Sequence, residues 1–343
     1  MNIHRCHCAF IPPHVQENLA RAGVEGAAVS AQVSRIPRKN RANRVKDAEE
    51  FMSLAPVGTS SREVYDSQNE WRQRVKMARE EGDSTTDDKD ANNAYDYAGM
   101  VRDYYKEVLK RNSIDNANMN LILNVHYGEN FNNAFWDGDE MTFGDGDGRK
   151  FVSLSRSLDV VGHELAHGVT QWEANLIYEG QCGALNEHFS DVFGSAITQY
   201  AEGQTAETAD WLIGDEIMGP ELRGEALRSM KDPGSAYNNR IMGKDPQPAH
   251  MRDYYTGSAD NHGVHINSGI LNKAFYLAAM EVGTDMAALI WYAALQKLWP
   301  TANFNDAVLI ISESARLLAI DGKAPADSPQ KIRAAFKEVG LPT

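Results

Sequence analysis

The feature that most restricts this 343-residue chain is the pentapeptide HELAH, His163 to His167, set in a stretch of helical period from Asp159 to Trp172. Residues four apart share one helical face, so both imidazoles can turn toward a single cation while Glu164 flanks it. A catalytic zinc takes three protein ligands and keeps a position open for water, so a third ligand must come from elsewhere. Glu187 stands twenty residues beyond His167 in the run GALNEHFSD, Gly183 to Asp191. Leu185, Phe189, Val192, Phe193, Ala196 and Ile197 form the buried stripe of a second helix there, and Glu187 lies beside it. Glu187 is assigned as the third ligand. Asp191, four residues on along the same side, and Asn186 then accept hydrogen bonds from the far nitrogens of the histidines and fix their tautomers. His188 competes with Glu187, but it faces about a quarter turn away and reads as a surface residue.

Two further groups suit the same chemistry. In DNHGVHINSG, Asp260 precedes His265 by five residues in a glycine-containing loop that leads to a helix at Ser268. Such a carboxylate can hold a charged imidazole near a developing oxyanion. Tyr178 lies nine residues before Glu187, and its phenol could donate to the same oxyanion. Taken alone, it would read as a core tyrosine.

Charge divides the chain unevenly. Residues 1–46 hold eight Lys/Arg and two acids, which leaves 26 basic and 46 acidic residues for the rest of a chain whose net charge is −14. A basic arm ahead of an acidic body suggests docking of one on the other. Nucleic acid is not expected as a partner, because the body would repel phosphates and no base-stacking motif accompanies the arm. The arm, with Pro12, Pro13 and a short helix near Val15 to Ala22, reads as an extended, protease-accessible appendage. Cys6, Cys8 and Cys182 cannot build a disulfide framework, and a bridge between Cys6 and Cys8 would close a strained ring. The N-terminus lacks the long apolar stretch of a secretory signal, so the protein is expected either to leave the cell by another route or to stay in the cytoplasm. No apolar run approaches the ~20 residues that span a bilayer.

Periodicity predicts one long helix (Ala91 to Lys110) and short alternating segments (Leu121 to Tyr127, Ala134 to Trp136, Met141 to Phe143), hence a lobe with antiparallel strands. Beyond residue 159 the pattern is helical, with further helices expected near Asp285 to Trp299, Asn305 to Leu318 and Pro329 to Val339. The fold class is α+β.

Taken together, NNAFW (Asn132 to Trp136), GDGDG (Gly144 to Gly148), DVVGHELAHGVT, GALNEHFSD, LRSM (Leu227 to Met230) and GVHINSG resemble the thermolysin-like zinc metalloproteases, in family order. Within that family the chain is similar to the protealysin-type members with short precursors. The resemblance implies a two-lobed gluzincin fold: an inhibitory propeptide over 1–50, an N-terminal lobe over 51–182 carrying the HELAH helix, and a helical lobe over 183–343. It implies a neutral endopeptidase that cuts on the N-terminal side of large hydrophobic residues. One zinc would be held by His163, His167 and Glu187, Glu164 would act as base toward the zinc-bound water, and His265 and Tyr178 would steady the oxyanion. Asn133 and the Ala134 carbonyl would hold substrate backbone by strand addition. Phe151, Leu154, Val160, Ile213 and Leu227 match the pocket for a large apolar side chain, and Arg228 matches the arginine on the adjoining carbonyl.

The same resemblance points to structural calcium at Asp159, Asp210 and Asp215. Ser195 and Thr198 stand where many members carry acids, so one weakened site is expected rather than two. GDGDG reads as a strand turn, because it lacks the distal glutamate of a calcium loop. IPPHV resembles the Pro-Pro motif of short precursors. It places Pro12 to Val15 against the cleft as an intramolecular inhibitor, freed by cleavage after the basic run. A thiolate of Cys6 or Cys8 on the zinc is an alternative form of masking. A monomer acting on peptides and proteins is expected. The competing readings are a zinc aminopeptidase, which lacks an exopeptidase anchor here, and a silent peptide-binding module.

Overall fold

A computed structural model describes residues 8–35 and 60–342. Residues 36–59 hold most of the basic run, the expected maturation bond and the 50/51 boundary, all of which therefore lie outside the described residues.

The N-terminal lobe is built on a six-stranded sheet. Its strands are β1 (Cys8–Ala9), β2 (Arg62–Asp66), β3 (Lys76–Glu80), β4 (Leu121–Val125), β5 (Ala134–Trp136) and β6 (Met141–Phe143), in the spatial order β1-β5-β6-β4-β2-β3. The sheet is mixed, which corrects the antiparallel expectation: β4 runs parallel to both β2 and β6, while the β2–β3, β5–β6 and β1–β5 pairs are antiparallel. A parallel pair needs a crossover, and the long helix predicted at Ala91 supplies it between β2 and β4. That helix, α3 (Lys89–Glu107), starts where Asp88 accepts hydrogen bonds from the backbone of Asp90 and Ala91.

The first described residues are compact, contrary to the extended appendage expected. Helices α1 (Pro13–Arg21) and α2 (Ala27–Arg35) pack together, and Phe10, Ile11, Val15 and Leu19 are buried in the main core. Pro13 suits the first turn of α1, where no backbone donor is lost. Burying these side chains contributes about 1.5–3 kcal/mol each, enough to hold a short segment on the body.

Two helices dominate the middle of the chain: α4 (Leu158–Glu173), which carries HELAH, and α5 (Gly180–Glu202), which carries Glu187. They cross in close contact because glycines meet. A Cβ on Gly194 would lie 2.8 Å from the Asp159 carbonyl, and one on Gly162 would lie 3.1 Å from the Gly194 Cα. Further C-terminal are α6 (Ala259–Val282), α7 (Thr284–Leu295), α8 (Phe304–Ile320) and α9 (Ser328–Glu338), near the predicted helical segments. The 182/183 boundary falls in the first turn of α5. No helix among the described residues is long and apolar enough to cross a membrane.

Candidate active site

Helix α4 brings its two histidines together: His163 Nε2 and His167 Nε2 lie 3.1 Å apart and are fully buried. The glycine-mediated approach of α5 puts Glu187 against them, with Oε2 3.4 Å from His163 Nε2 and Oε1 3.5 Å from His167 Nε2. The opposite ring nitrogens are occupied. His163 Nδ1 lies 2.8 Å from Asp191 Oδ1 and His167 Nδ1 lies 2.8 Å from Asn186 Oδ1, with Ser190 Oγ at 3.0 Å. Acceptors at both Nδ1 atoms orient the rings so that their Nε2 atoms face Glu187.

Electrostatics point the same way. Burial pushes the Glu187 carboxyl up, but the three imidazoles of His265, His167 and His163 overcome it and hold the group well below the usual range. Two buried Nε2 atoms this close cannot both be protonated, and the pair divides. Burial leaves His167 down at about 4, whereas His163, despite burial, is held up at about 9 by the Asp191 and Glu187 carboxylates beside it. Two imidazoles and one carboxylate fit zinc once His163 gives up its extra proton, and Glu187 Oε2 is a buried oxygen with no hydrogen-bond partner.

Glu164 projects toward β5. Its Oε2 accepts the Trp136 backbone N–H at 2.7 Å, while Oε1 is buried with no partner. Burial raises its carboxyl to about 8, against the pull of His163. Tyr178 donates to Glu187 Oε1 and lies 3.1 Å from His265 Nε2.

His265 stands at the start of the regular part of α6, just after the glycine-containing turn, so the helix begins a few residues before Ser268. Asp260, Asn261, His262 and Gly263 all have positive φ, between 49° and 82°, and regular helix resumes at Val264. A left-handed conformation costs a non-glycine residue about 1–2 kcal/mol. At Gly263 a Cβ would also strike the Tyr255 ring at 2.6 Å. This turn folds Asp260 back on His265, accepting from its backbone N–H at 2.8 Å and meeting Nδ1 at 2.6 Å. Burial lowers the His265 pKa, but the Asp260 charge more than offsets it and holds the imidazole up at about 9.

Arg228 ties Asp191 to the backbone of Phe10. It donates to Asp191 through Nε and Nη2 at 2.8 and 2.9 Å, and Asn272 Nδ2 donates to the same carboxylate at 2.8 Å. His188 is buried, which corrects its surface assignment. Its Nδ1 meets Asn272 Oδ1 and its Nε2 accepts from the Trp291 indole, each at 2.8 Å, so it braces the helix behind the site.

The expected pocket residues Phe151, Leu154, Val160, Ile213 and Leu227 are buried in one core cluster, and Phe10 belongs to it too. The Pro-Pro motif predicts Pro12 to Val15 against the cleft. In the structure Ala9, Phe10 and Ile11 bond along the edge formed by Asn133 and Ala134, while Pro13 opens α1 and His14 meets the Tyr237 hydroxyl at 2.9 Å. Proline has no N–H to give a strand, whereas the residues before it have. That signal could have extended the expectation upstream, since Pro13 still lines the recess that holds Tyr178 and His265. Cys8 is disulfide-bonded, and its sulfur lies within 4.8 Å of ligand atoms of His167 and Glu187, whereas Cys6 lies outside the described residues.

Asp159, Asp210 and Asp215 line one acidic recess, and the structure adds Glu202 and Glu216, which were not expected there although Glu216 adjoins Asp215. Burial and neighbouring carboxylates push Asp215 up to about 6 and Glu216 up to about 7. In GDGDG, Asp147 accepts three successive backbone N–H groups from Arg149, Lys150 and Phe151.

Residues 29–171 match the catalytic domain of thermolysin metallopeptidases and residues 174–341 match their alpha-helical domain. An extracellular metalloprotease of Pectobacterium carotovorum subsp. carotovorum is 42% identical over 291 residues, covering 84% of each chain. Thermolysin of Alicyclobacillus acidocaldarius subsp. acidocaldarius is 41% identical over 265 residues, 74% of this chain and 46% of that one. The solved precursor of protealysin, a metalloproteinase from Serratia proteamaculans, superposes with a TM-score of 0.87 at 39% identity, covering 98% of this chain and all of that one. With both halves matched in order and the precursor of a relative sharing the fold, the chain belongs to the thermolysin family of metalloproteases.

Proposed function

We propose that this chain is the precursor of a zinc endopeptidase that cuts on the N-terminal side of large apolar residues, with residues 1–50 as inhibitory pro-segment, 51–182 as N-terminal lobe and 183–343 as helical lobe. The observation that carries the reading is the convergence of His163, His167 and Glu187 beside a buried Glu164 oxygen that has no hydrogen-bond partner. When bound, zinc supplies a Lewis acid that makes water nucleophilic near neutral pH. Glu164 Oε1 takes the proton of the attacking water and returns it to the leaving nitrogen. His265, kept cationic by Asp260, donates from Nε2 to the oxyanion, and the Tyr178 hydroxyl is the second donor. Substrate backbone lies antiparallel to β5, held by Asn133, the Ala134 carbonyl and Arg228.

A single calcium in the recess of Asp159, Asp210 and Asp215 is part of the proposal. Asp215, pushed up by burial and then by the charges of Asp159 and Asp210, is relieved by a hard cation.

The test uses internally quenched peptides blocked at both ends, with Phe or Leu after the expected cut. Chelator-sensitive cleavage before those residues is expected, and Glu164→Ala should keep its zinc by metal analysis while losing turnover by about 10²–10⁴-fold. Cleavage of free N-termini alone would replace this reading with an exopeptidase.

A further inference from the structure

Residues 9–11 hold the register of a substrate, not only its place. Strand β1 pairs antiparallel with β5, Ala9 facing Phe135. The Phe10 N–H donates to the Ala134 carbonyl at 3.1 Å, and the Ile11 N–H donates to Asn133 Oδ1 at 2.8 Å. Asn133 Nδ2 donates back to the Ile11 carbonyl at 3.3 Å, and Arg228 Nη1 donates to the Phe10 carbonyl at 3.2 Å. On the other side of the Ala9–Phe10 bond, the Ala9 carbonyl oxygen lies 3.1 Å from His265 Nε2, where an oxyanion would need a donor. The Phe10 side chain is fully buried, edge-on to the His163 ring at 5.0 Å and under the Arg228 guanidinium at 4.9 Å. Gly214 makes room for it: a Cβ there would approach the ring to 3.0 Å.

We infer that the Ala9–Phe10 peptide bond is a self-cleavage site, presented by the pro-segment to its own catalytic groups as a bound substrate. The inference rests on the endopeptidase reading above. Water adds across the bond: the C–N bond breaks, a C–O bond forms, Ala9 becomes a carboxylate and Phe10 an amine that keeps the transferred proton. The cut alone does not free the cleft, because the segment after it is separately anchored. Gln16 donates to the Asn132 carbonyl, Asn18 Nδ2 to the Met242 carbonyl at 2.7 Å, and the Asn132 N–H to Ser30 Oγ at 3.0 Å. A chain beginning at Phe10 is thus a product still seated on the enzyme.

The experiment tracks zinc-loaded full-length protein by intact mass and N-terminal sequencing. Reductant is left out, because a Cys8 thiolate beside His167 and Glu187 would compete for the metal. Loss of the first nine residues, giving a terminus Phe-Ile-Pro-Pro, is expected at a rate independent of protein concentration and absent in Glu164→Ala. Phe10→Asp should abolish this cut. Because that variant could fail to dock, hydrogen exchange of the metal-free native chain gives a second readout: the Phe10 and Ile11 amides should be protected, and Asn133→Ala should expose Ile11. If blocked peptides are cleaved yet no terminus at Phe10 forms, or Glu164→Ala gives the same terminus, or those amides exchange like a free tail, the inference falls and the endopeptidase reading stands. If neither the peptides nor the Ala9–Phe10 bond is cut, that reading falls with it.

Discussion

Asp191 accepts from Arg228 and His163 at once, its Oδ1 lying 2.8 Å from His163 Nδ1 and 2.9 Å from Arg228 Nη2. One buried carboxylate thereby orients a proposed metal ligand and the guanidinium that binds the Phe10 carbonyl. Asp191→Asn should weaken zinc affinity by about 10–100-fold and raise KM as Arg228 loosens. Competition against a fluorescent chelator, run beside peptide kinetics, checks both, and an unchanged affinity would refute the link.

The role proposed for His265 lies in the reaction and not in holding the metal. Its Nε2 lies 3.1 Å from both the Ala9 carbonyl and the Tyr178 hydroxyl. His265→Phe should lower kcat by about 10²–10³-fold with unchanged zinc content. Metal analysis and steady-state rates on the same preparation decide it.

The acidic recess sets a pH dependence of stability with a definite sign. Asp215 and Glu216 are pushed up, to about 6 and about 7, so between the ordinary carboxylate range and these values the folded chain binds more protons than the unfolded one. Their contribution therefore favours folding below about pH 4 and is lost as the pH rises toward 7. Glu216→Gln should flatten the decline in Tm across that window, and calcium should raise Tm more at pH 8 than at pH 5. Differential scanning calorimetry with and without calcium measures both.

Gly194 lets α5 approach α4, and its Cβ would meet a backbone carbonyl rather than a flexible side chain. Gly194→Ala should cost about 1–3 kcal/mol and loosen the metal site, because Glu187 rides on the same helix. Urea unfolding of the metal-free protein isolates the first effect, and a zinc titration reports the second.

Legibility in the sequence varies with the range of the interaction. HELAH on one helix face is a local fact, and so are the Asp260–His265 spacing and the short strands at 134–136 and 141–143. The burial of His188 is not legible, because its partners Asn272 and Trp291 lie on other helices. The parallel pairing of β4 depends likewise on where a crossover helix lands, and strand patterning is silent on that.

By itself, then, the sequence determined which residues can ligate, which can carry protons and that one segment is set apart by charge, since side-chain chemistry and helical spacing are written in order along the chain. Tertiary structure alone decided that Glu187 reaches the histidines through a glycine contact, and that four left-handed residues aim His265. It also decided that Ala9 to Ile11 bond along the edge of the cleft, while Pro13 lines the same recess as Tyr178 and His265. Each depends on the distance between elements remote in sequence, which only packing fixes.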